Sequence, residues 1–267
     1  MHVRGTPVTC RRGRPGDGPP PCNAVGELGL EKADLENRRI LYGRRQGRRL
    51  RTGQQALLAD ELGRIGMERP ADGQRIDPAT LFPAGCRSCW LEVGFGGGEH
   101  LAWQAAHHRD VGILGAEPFI NGVVSLLAHV RREGLDNVRV LPDDARALID
   151  ALPDAAIARA FVLHPDPWPK ARHHKRRFVA RWNLDRLARV MADGAELRLA
   201  TDDVDYLEWM LEHALDHPHF EWQAKGPEAW RERAEDWPVT RYEEKAVKEG
   251  RRSWRILLRR RQRPVEG

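Results

Sequence analysis

The densest chemistry in the chain lies at His164–Arg177, HPDPWPKARHHKRR. Prolines at 165, 167 and 169 remove backbone freedom and hold Asp166 and Trp168 in a fixed presentation. From Lys170 to Arg177, seven of eight positions are basic or histidine. An acid and an aromatic on a rigid loop, followed by such a run, fit a base-binding site bordering a phosphate track. A second stretch, Leu91–Leu101, reads LEVGFGGGEHL. Here an apolar run meets Gly94, Gly96, Gly97 and Gly98, which permit a tight turn and let a ligand approach the backbone at a helix N-terminus.

The glycine spacing excludes two nucleotide-binding patterns. A dinucleotide GxGxxG would need glycine at 99 or 101, where the chain has Glu99 and Leu101, and no GK[ST] follows to make a P-loop. What remains is GxGxG, the turn of Rossmann-like methyltransferases. Glu117 follows 23 residues after Gly94, a spacing suited to an acid that accepts hydrogen bonds from ribose hydroxyls. Asp143 and Asp144, in VLPDDARAL, each suit either a contact to an adenine amino group or a helix N-cap, and sequence does not separate the two roles. Asp202 and Asp203 carry the same ambiguity before a helix at Tyr206–Leu215. The stretch Thr240–Glu243, TRYE, with Lys245, completes the polar candidates.

Positioning these residues requires alternating strands and helices. Short apolar runs predict strands at Trp90–Val93, Val111–Ala116, Val138–Leu141, Ile157–Leu163 and Ala195–Ala200. Helical spacing fits His100–His107, Ile120–Arg132 and Phe178–Met191 between them, and Gln54–Gly66 before them. This alternation predicts βαβ units and a parallel sheet covered on both faces. Ser253–Arg260 reads as one more strand, antiparallel at the edge or within a terminal hairpin. Glu92, Glu117, Asp144, Asp166 and Asp202 then all fall at or near the C-terminal ends of predicted parallel strands, the rim where open α/β sheets bind ligands.

Composition narrows the partner. The 267 residues carry 44 Lys and Arg against 39 Asp and Glu, a net charge of +5. The basic residues cluster at Arg38–Arg51, Lys170–Arg177 and Arg251–Arg263, which points to a polyanion. No stretch approaches the ~20 apolar residues of a membrane span, and the N-terminus lacks an apolar signal core, so a cytoplasmic location is expected. Residues 1–35, rich in Arg, Gly and Pro, are expected to form a disordered arm. Residues 36–85 are expected to form an extension leading into a domain at 86–263. Cys86 and Cys89 form a CxxC pair, but Cys10 and Cys22 lie in the arm, so reduced thiols are expected rather than a metal site.

Over roughly residues 48 to 261 the chain resembles the bacterial tRNA (guanine-N(7)-)-methyltransferases. PDPWPK at 165–170 with the following HHKRR, the LEVGFGGG turn and the TRYE segment carry the resemblance. It implies a class I fold with a mostly parallel seven-stranded sheet, S-adenosylmethionine as methyl donor, and tRNA as partner, methylated at a guanosine of the variable loop. It also implies that Glu92, Gly94, Glu117, Asp144 and Asp166 contact the donor, with Asp166 catalytic. Lys170, Asp202, Thr240, Arg241, Tyr242 and Glu243 look like the substrate-contacting set. Arg172, His173, His174, Lys175, Arg176 and Arg177 resemble the RNA-interacting segment. No metal and no membrane are implied, and the chain is expected to act as a monomer or homodimer. Two departures stand out: His164 replaces a usual apolar or aromatic residue, and TRYE replaces a more frequent TKFE.

Overall fold

A computed structural model describes residues 43–83 and 86–264. The arm at 1–35 with Cys10 and Cys22, and the start of the first basic run, lie outside the described residues. The elements run in the order α1 (Thr52–Ile65), β1 (Ser88–Val93), α2 (Glu99–His107), β2 (Val111–Ala116), α3 (Ile120–Glu133), β3 (Val138–Leu141), α4 (Ala145–Ala151) and β4 (Ile157–Leu163). There follow α5 (Arg181–Val190), β5 (Met191–Thr201), α6 (Val204–Leu215), β6 (Phe220–Trp222), α7 (Glu228–Arg231), α8 (Arg241–Lys248) and β7 (Trp254–Arg260).

The seven strands form one sheet in the order β3-β2-β1-β4-β5-β7-β6. β1 to β5 pair in parallel, while β7 runs antiparallel to both β5 and β6. The last predicted strand is therefore antiparallel, but it is internal; the three-residue β6, not foreseen, takes the edge. β5 begins at Met191 rather than Ala195, because Met191 pairs with Ile157 across an irregularity before Glu196 joins Arg159. Gly194, at φ +78°, turns the chain at that irregularity.

Alternation along β1 divides the core. Cys89, Leu91 and Val93 pack with Leu148 of α4, Leu187 of α5 and Met210 of α6. Trp90 faces the other way, toward Ile65 of α1, Leu101 of α2 and Leu126 of α3. Helices thus cover both faces, which is why the central strands read as mostly apolar runs. In α3, Val123, Leu126, Leu127 and Val130 recur at helical spacing and are fully buried, each contributing about 1.5–3 kcal/mol. α1 joins this layer, and Met67 beyond it donates to the Val140 carbonyl of β3 at 2.7 Å. Among the described residues no helix is long and apolar enough to cross a membrane.

Candidate active site

The ends of five adjacent parallel strands carry five acids. In spatial order across the sheet these are Asp144 after β3, Glu117 after β2, Glu92 in β1, Asp166 after β4 and Asp202 after β5. Neighbouring strands lie about 4.8 Å apart, so the row has the length of an extended small molecule followed by a base. A cavity of about 430 Å³ opens along it, lined by Gly94, Gly96, Glu117, Phe119, Asp144 and Asp166 among others.

The glycine turn forms the floor of this cavity. Gly94, Gly96 and Gly98 adopt φ of +71°, +53° and +78°, where side chains are strained. Among the described residues, a Cβ on Gly94 or Gly96 would meet no atom within 4 Å, so the backbone there is open to a ligand. A Cβ on Gly98 would lie 2.5 Å from Leu126 Cβ, so that glycine is needed for packing as well.

Glu117 is 8% exposed and braces the turn: its two oxygens accept from the backbone amides of Gly96 at 2.9 Å and Phe119 at 2.8 Å. Burial pushes its carboxyl above the usual carboxylate range, against those two amides and with the nearby charges of Asp166 and Glu92. Of Asp143 and Asp144, the structure makes Asp144 the helix cap. It starts α4, accepting from the Arg146 amide at 2.9 Å, and also lines the cavity. Burial raises its carboxyl, but the Arg146 guanidinium outweighs this and holds it below the usual range. Asp143 accepts from the Asp144 amide and pairs with Arg45 and Arg69 instead.

The proline-rich loop is held by strain and by one buried cation. His164 and Trp168 adopt φ of +49° and +46°, at a cost of roughly 1–3 kcal/mol each. Asp166 lines the cavity, and among the described residues its carboxylate takes no hydrogen bond. Partial desolvation there pushes its carboxyl upward. Arg177, expected to contact RNA, has protein partners of its own. It is 1% exposed, donates from Nε to the Pro167 carbonyl at 2.7 Å, pairs with Asp205, and stacks on Tyr206 and Trp209. Its guanidinium fastens the loop to α6, and the residue lines the large cavity beside Lys175 and Arg176.

The rest of the run divides by exposure. Lys175 and Arg176 line the cavity, with Arg176 over the Trp168 ring at 4.9 Å. His173 and His174 pack edge-on against Trp168 and Trp209. Lys170 and Arg172 are exposed and lie outside the large cavity, as does Arg241, which reaches Glu99 at 3.5 Å.

A second cavity of about 140 Å³ gathers Glu92, Thr240, Tyr242 and Glu243 with His100, His164 and Trp237. Thr240 and Glu243 form a capping box that starts α8. Asp203 is the N-cap of α6, which leaves Asp202 to accept from the Tyr242 hydroxyl at 3.0 Å and pair with Arg251. Burial opposes ionisation of Glu243, but His164, Arg255 at 2.8 Å and the Thr240 amide outweigh it and hold the carboxyl down at about 2. His164, the departure noted above, sits with its ring nitrogens 3.7 Å from Asp202 and 3.9 Å from Glu243, its ring 4.7 Å from that of Tyr242.

Sequence reasoning missed several lining residues. Gly43 and Arg44 reach the large cavity because the Arg45 carbonyl accepts from the Ile120 amide and Gly47 donates to Asn121. Their signal was the first basic run, which had no assigned place. Among the described residues no group of three His, Cys, Asp or Glu side chains is arranged to hold a metal ion, and burial pushes the Cys89 thiol upward, away from the thiolate form.

An open sheet with this strand order, a GxGxG turn and acids along its rim defines a Rossmann-like class I methyltransferase. The methyltransferase family model Methyltransf_4 matches residues 87–256. The tRNA (guanine-N(7)-)-methyltransferase of Rhodospirillum rubrum is 48% identical over 227 residues, 84% of this chain and 89% of that protein. The protein of the same name from Paracoccus denitrificans is 50% identical over 229 residues, covering 84% and 96%. The chain belongs to the tRNA (guanine-N(7)-)-methyltransferase family.

Proposed function

We propose that this protein methylates N(7) of a guanine in the variable loop of tRNA, using S-adenosylmethionine. The observation that carries the reading is the order of the acids along the rim, ending beside a basic loop. The glycine cradle open at Gly94 and Gly96, and a cavity of about 430 Å³, fit the donor. Asp144 suits its adenine amino group, Glu117 its ribose hydroxyls and Glu92 its methionine end, in the order in which β3, β2 and β1 lie. When bound, S-adenosylmethionine supplies an electrophilic methyl group on a sulfonium.

Guanine N(7) carries an in-plane lone pair and no proton, so the protein's task is alignment rather than base catalysis. Asp166 acts as the catalytic residue by orienting the base and stabilising the positive charge that develops on it, which a partly desolvated carboxylate does more strongly than one in water. Asp202 and the Thr240–Glu243 segment hold the base from the β5 side. Lys170, Arg172, His173, His174, Lys175 and Arg176 meet phosphates and make binding salt-dependent.

Methyl transfer from labelled S-adenosylmethionine to bulk tRNA, followed by nucleoside analysis, tests the reading. Label in 7-methylguanosine is the expected result; label in another nucleoside would remove the target assignment. Asp166→Ala should lower turnover far more than tRNA affinity, and equal losses in both would remove its catalytic role.

A further inference from the structure

A buried chain of hydrogen bonds runs behind the glycine turn. Glu92, His100 and Gln104 are 2%, 2% and 0% exposed. His100 Nδ1 lies 2.7 Å from Glu92 Oε2, His100 Nε2 lies 3.2 Å from Gln104 Nε2, and Gln104 Nε2 donates to the Asp236 carbonyl at 2.7 Å. Chemistry fixes the direction of the chain. A carbonyl only accepts, so the Gln104 amide must turn its nitrogen to Asp236, which leaves Gln104 Oε1 buried without a partner. The second hydrogen on that nitrogen then faces His100 Nε2, which must accept it. The imidazole proton is thereby on Nδ1, donated to Glu92. From Gln104 outward, the two bonds through His100 both point toward the carboxylate, and the third points away from it, to Asp236.

This polarity has a purpose at its far end. Glu92 Oε2 is occupied, while among the described residues Oε1 takes no hydrogen bond. The side chain lines the second cavity, which meets the large one at Gly94 and Gly96. The His100 ring is wedged edge-on against Phe161 at 4.7 Å and beside Trp237, so the donor cannot swing away. At the near end, Asp236 is fixed to the sheet by Arg159 and Arg198 and lies four residues before Thr240.

We infer that His100, backed by Gln104, is a positioning residue that holds Glu92 in one rotamer for the methyl donor and ties it to the segment that holds the acceptor base. The inference rests on the reading above that Glu92 contacts the donor. It asks of the imidazole only that its Nδ1–H stay in place. Asparagine carries a donor at the same distance from the backbone, so His100→Asn keeps that bond and His100→Ala removes it.

Isothermal titration of S-adenosylhomocysteine into the full chain, with the melting temperature recorded for each variant, tests this. Loss of a hydrogen bond to a buried carboxylate is expected to weaken binding roughly tenfold in His100→Ala, with recovery to within about threefold in His100→Asn. Glu92→Gln should weaken binding by a similar factor. In that background His100→Ala should add less than about twofold, because the two residues act as one unit. Gln104→Met, which keeps the volume, should show a smaller loss of the same kind and serves if His100→Ala does not fold. Wild-type affinity in both His100→Ala and Gln104→Met, or equal losses in His100→Ala and His100→Asn, would overturn the inference while leaving Glu92 as a donor contact. Wild-type affinity in Glu92→Gln would overturn both.

Discussion

Replacing Asp236 by alanine should loosen one strap of the acceptor side without touching either cavity. The Asp236 carboxylate accepts from Arg198 Nη1 and Nη2 at 2.8 and 2.9 Å and from Arg159 Nη1 at 3.0 Å. Arg198 is 8% exposed and sits over the faces of Phe161 and Trp237, so its charge cannot turn to water. Breaking a fully buried ion pair costs about 3–5 kcal/mol, and an exposed pair about 0–1 kcal/mol. Asp236 lies between these limits, at 35% exposure, and Glu196 stays with both arginines after the substitution. About 2 kcal/mol follows, or a fall in melting temperature of roughly 4–8 °C for a domain of this size. Because Trp237 and Thr240 follow directly, affinity for tRNA should fall as well, while Asp236→Asn, which still accepts hydrogen bonds, should lose about half as much. Differential scanning calorimetry and filter binding read the two effects. A variant with the wild-type melting temperature and wild-type tRNA affinity would refute the argument that this carboxylate anchors the strap.

Three other perturbations separate the parts of the site. In Gly122→Ala a Cβ would lie 2.2 Å from the Gly96 carbonyl, so a change that usually favours a helix should here displace the turn and cost about tenfold in S-adenosylhomocysteine affinity; unchanged affinity would mean the turn yields freely. Arg177→Met should lower stability by about 2 kcal/mol through the loop it fastens, whereas Lys175→Ala should leave stability alone and flatten the salt dependence of tRNA binding by about one unit of slope. The reverse pattern would return Arg177 to the RNA surface. Glu243, held at about 2 against an ordinary 4.5, stabilises the fold fully above pH 4.5 and loses that contribution as pH falls from there toward 2. Urea midpoints measured across that window should drop less steeply in Glu243→Gln than in the wild type; parallel curves would sink the assignment.

Where burial on both faces made a strand mostly apolar, the sequence was easy to read: the predicted limits of β2, β3 and β4 coincide with the observed ones. β5 was cut short because Asp193 and Gly194, at its irregularity, look like a turn. β6 escaped notice because three residues carry no period. At the site, the types of the rim acids located them, but their duties depended on partners distant in sequence. Asp144 and Asp143 each resemble a cap, and only Arg45 and Arg69 draw Asp143 away. Arg177 looked like its five basic neighbours because the rings that cover it, Tyr206 and Trp209, belong to a helix about thirty positions later. His100 stood in plain view inside the glycine motif, yet nothing local says that its partners are Glu92 on one side and Gln104 on the other.

The strand order divides the rim into two halves with different owners. In the function proposed above, loops after β3, β2 and β1 serve the methyl donor, and loops after β4 and β5, with the residues leading into α8, serve the acceptor; the strand order sets these two groups side by side. The seam falls between β1 and β4, where the chain reverses its direction of travel across the sheet. Such a partition makes the two specificities separately heritable: lengthening or exchanging a loop on the acceptor side redraws which nucleic acid is admitted while the donor's berth keeps its shape. The Glu92–His100–Gln104–Asp236 chain crosses that seam, so a library that spares those four positions explores new acceptors on an intact engine.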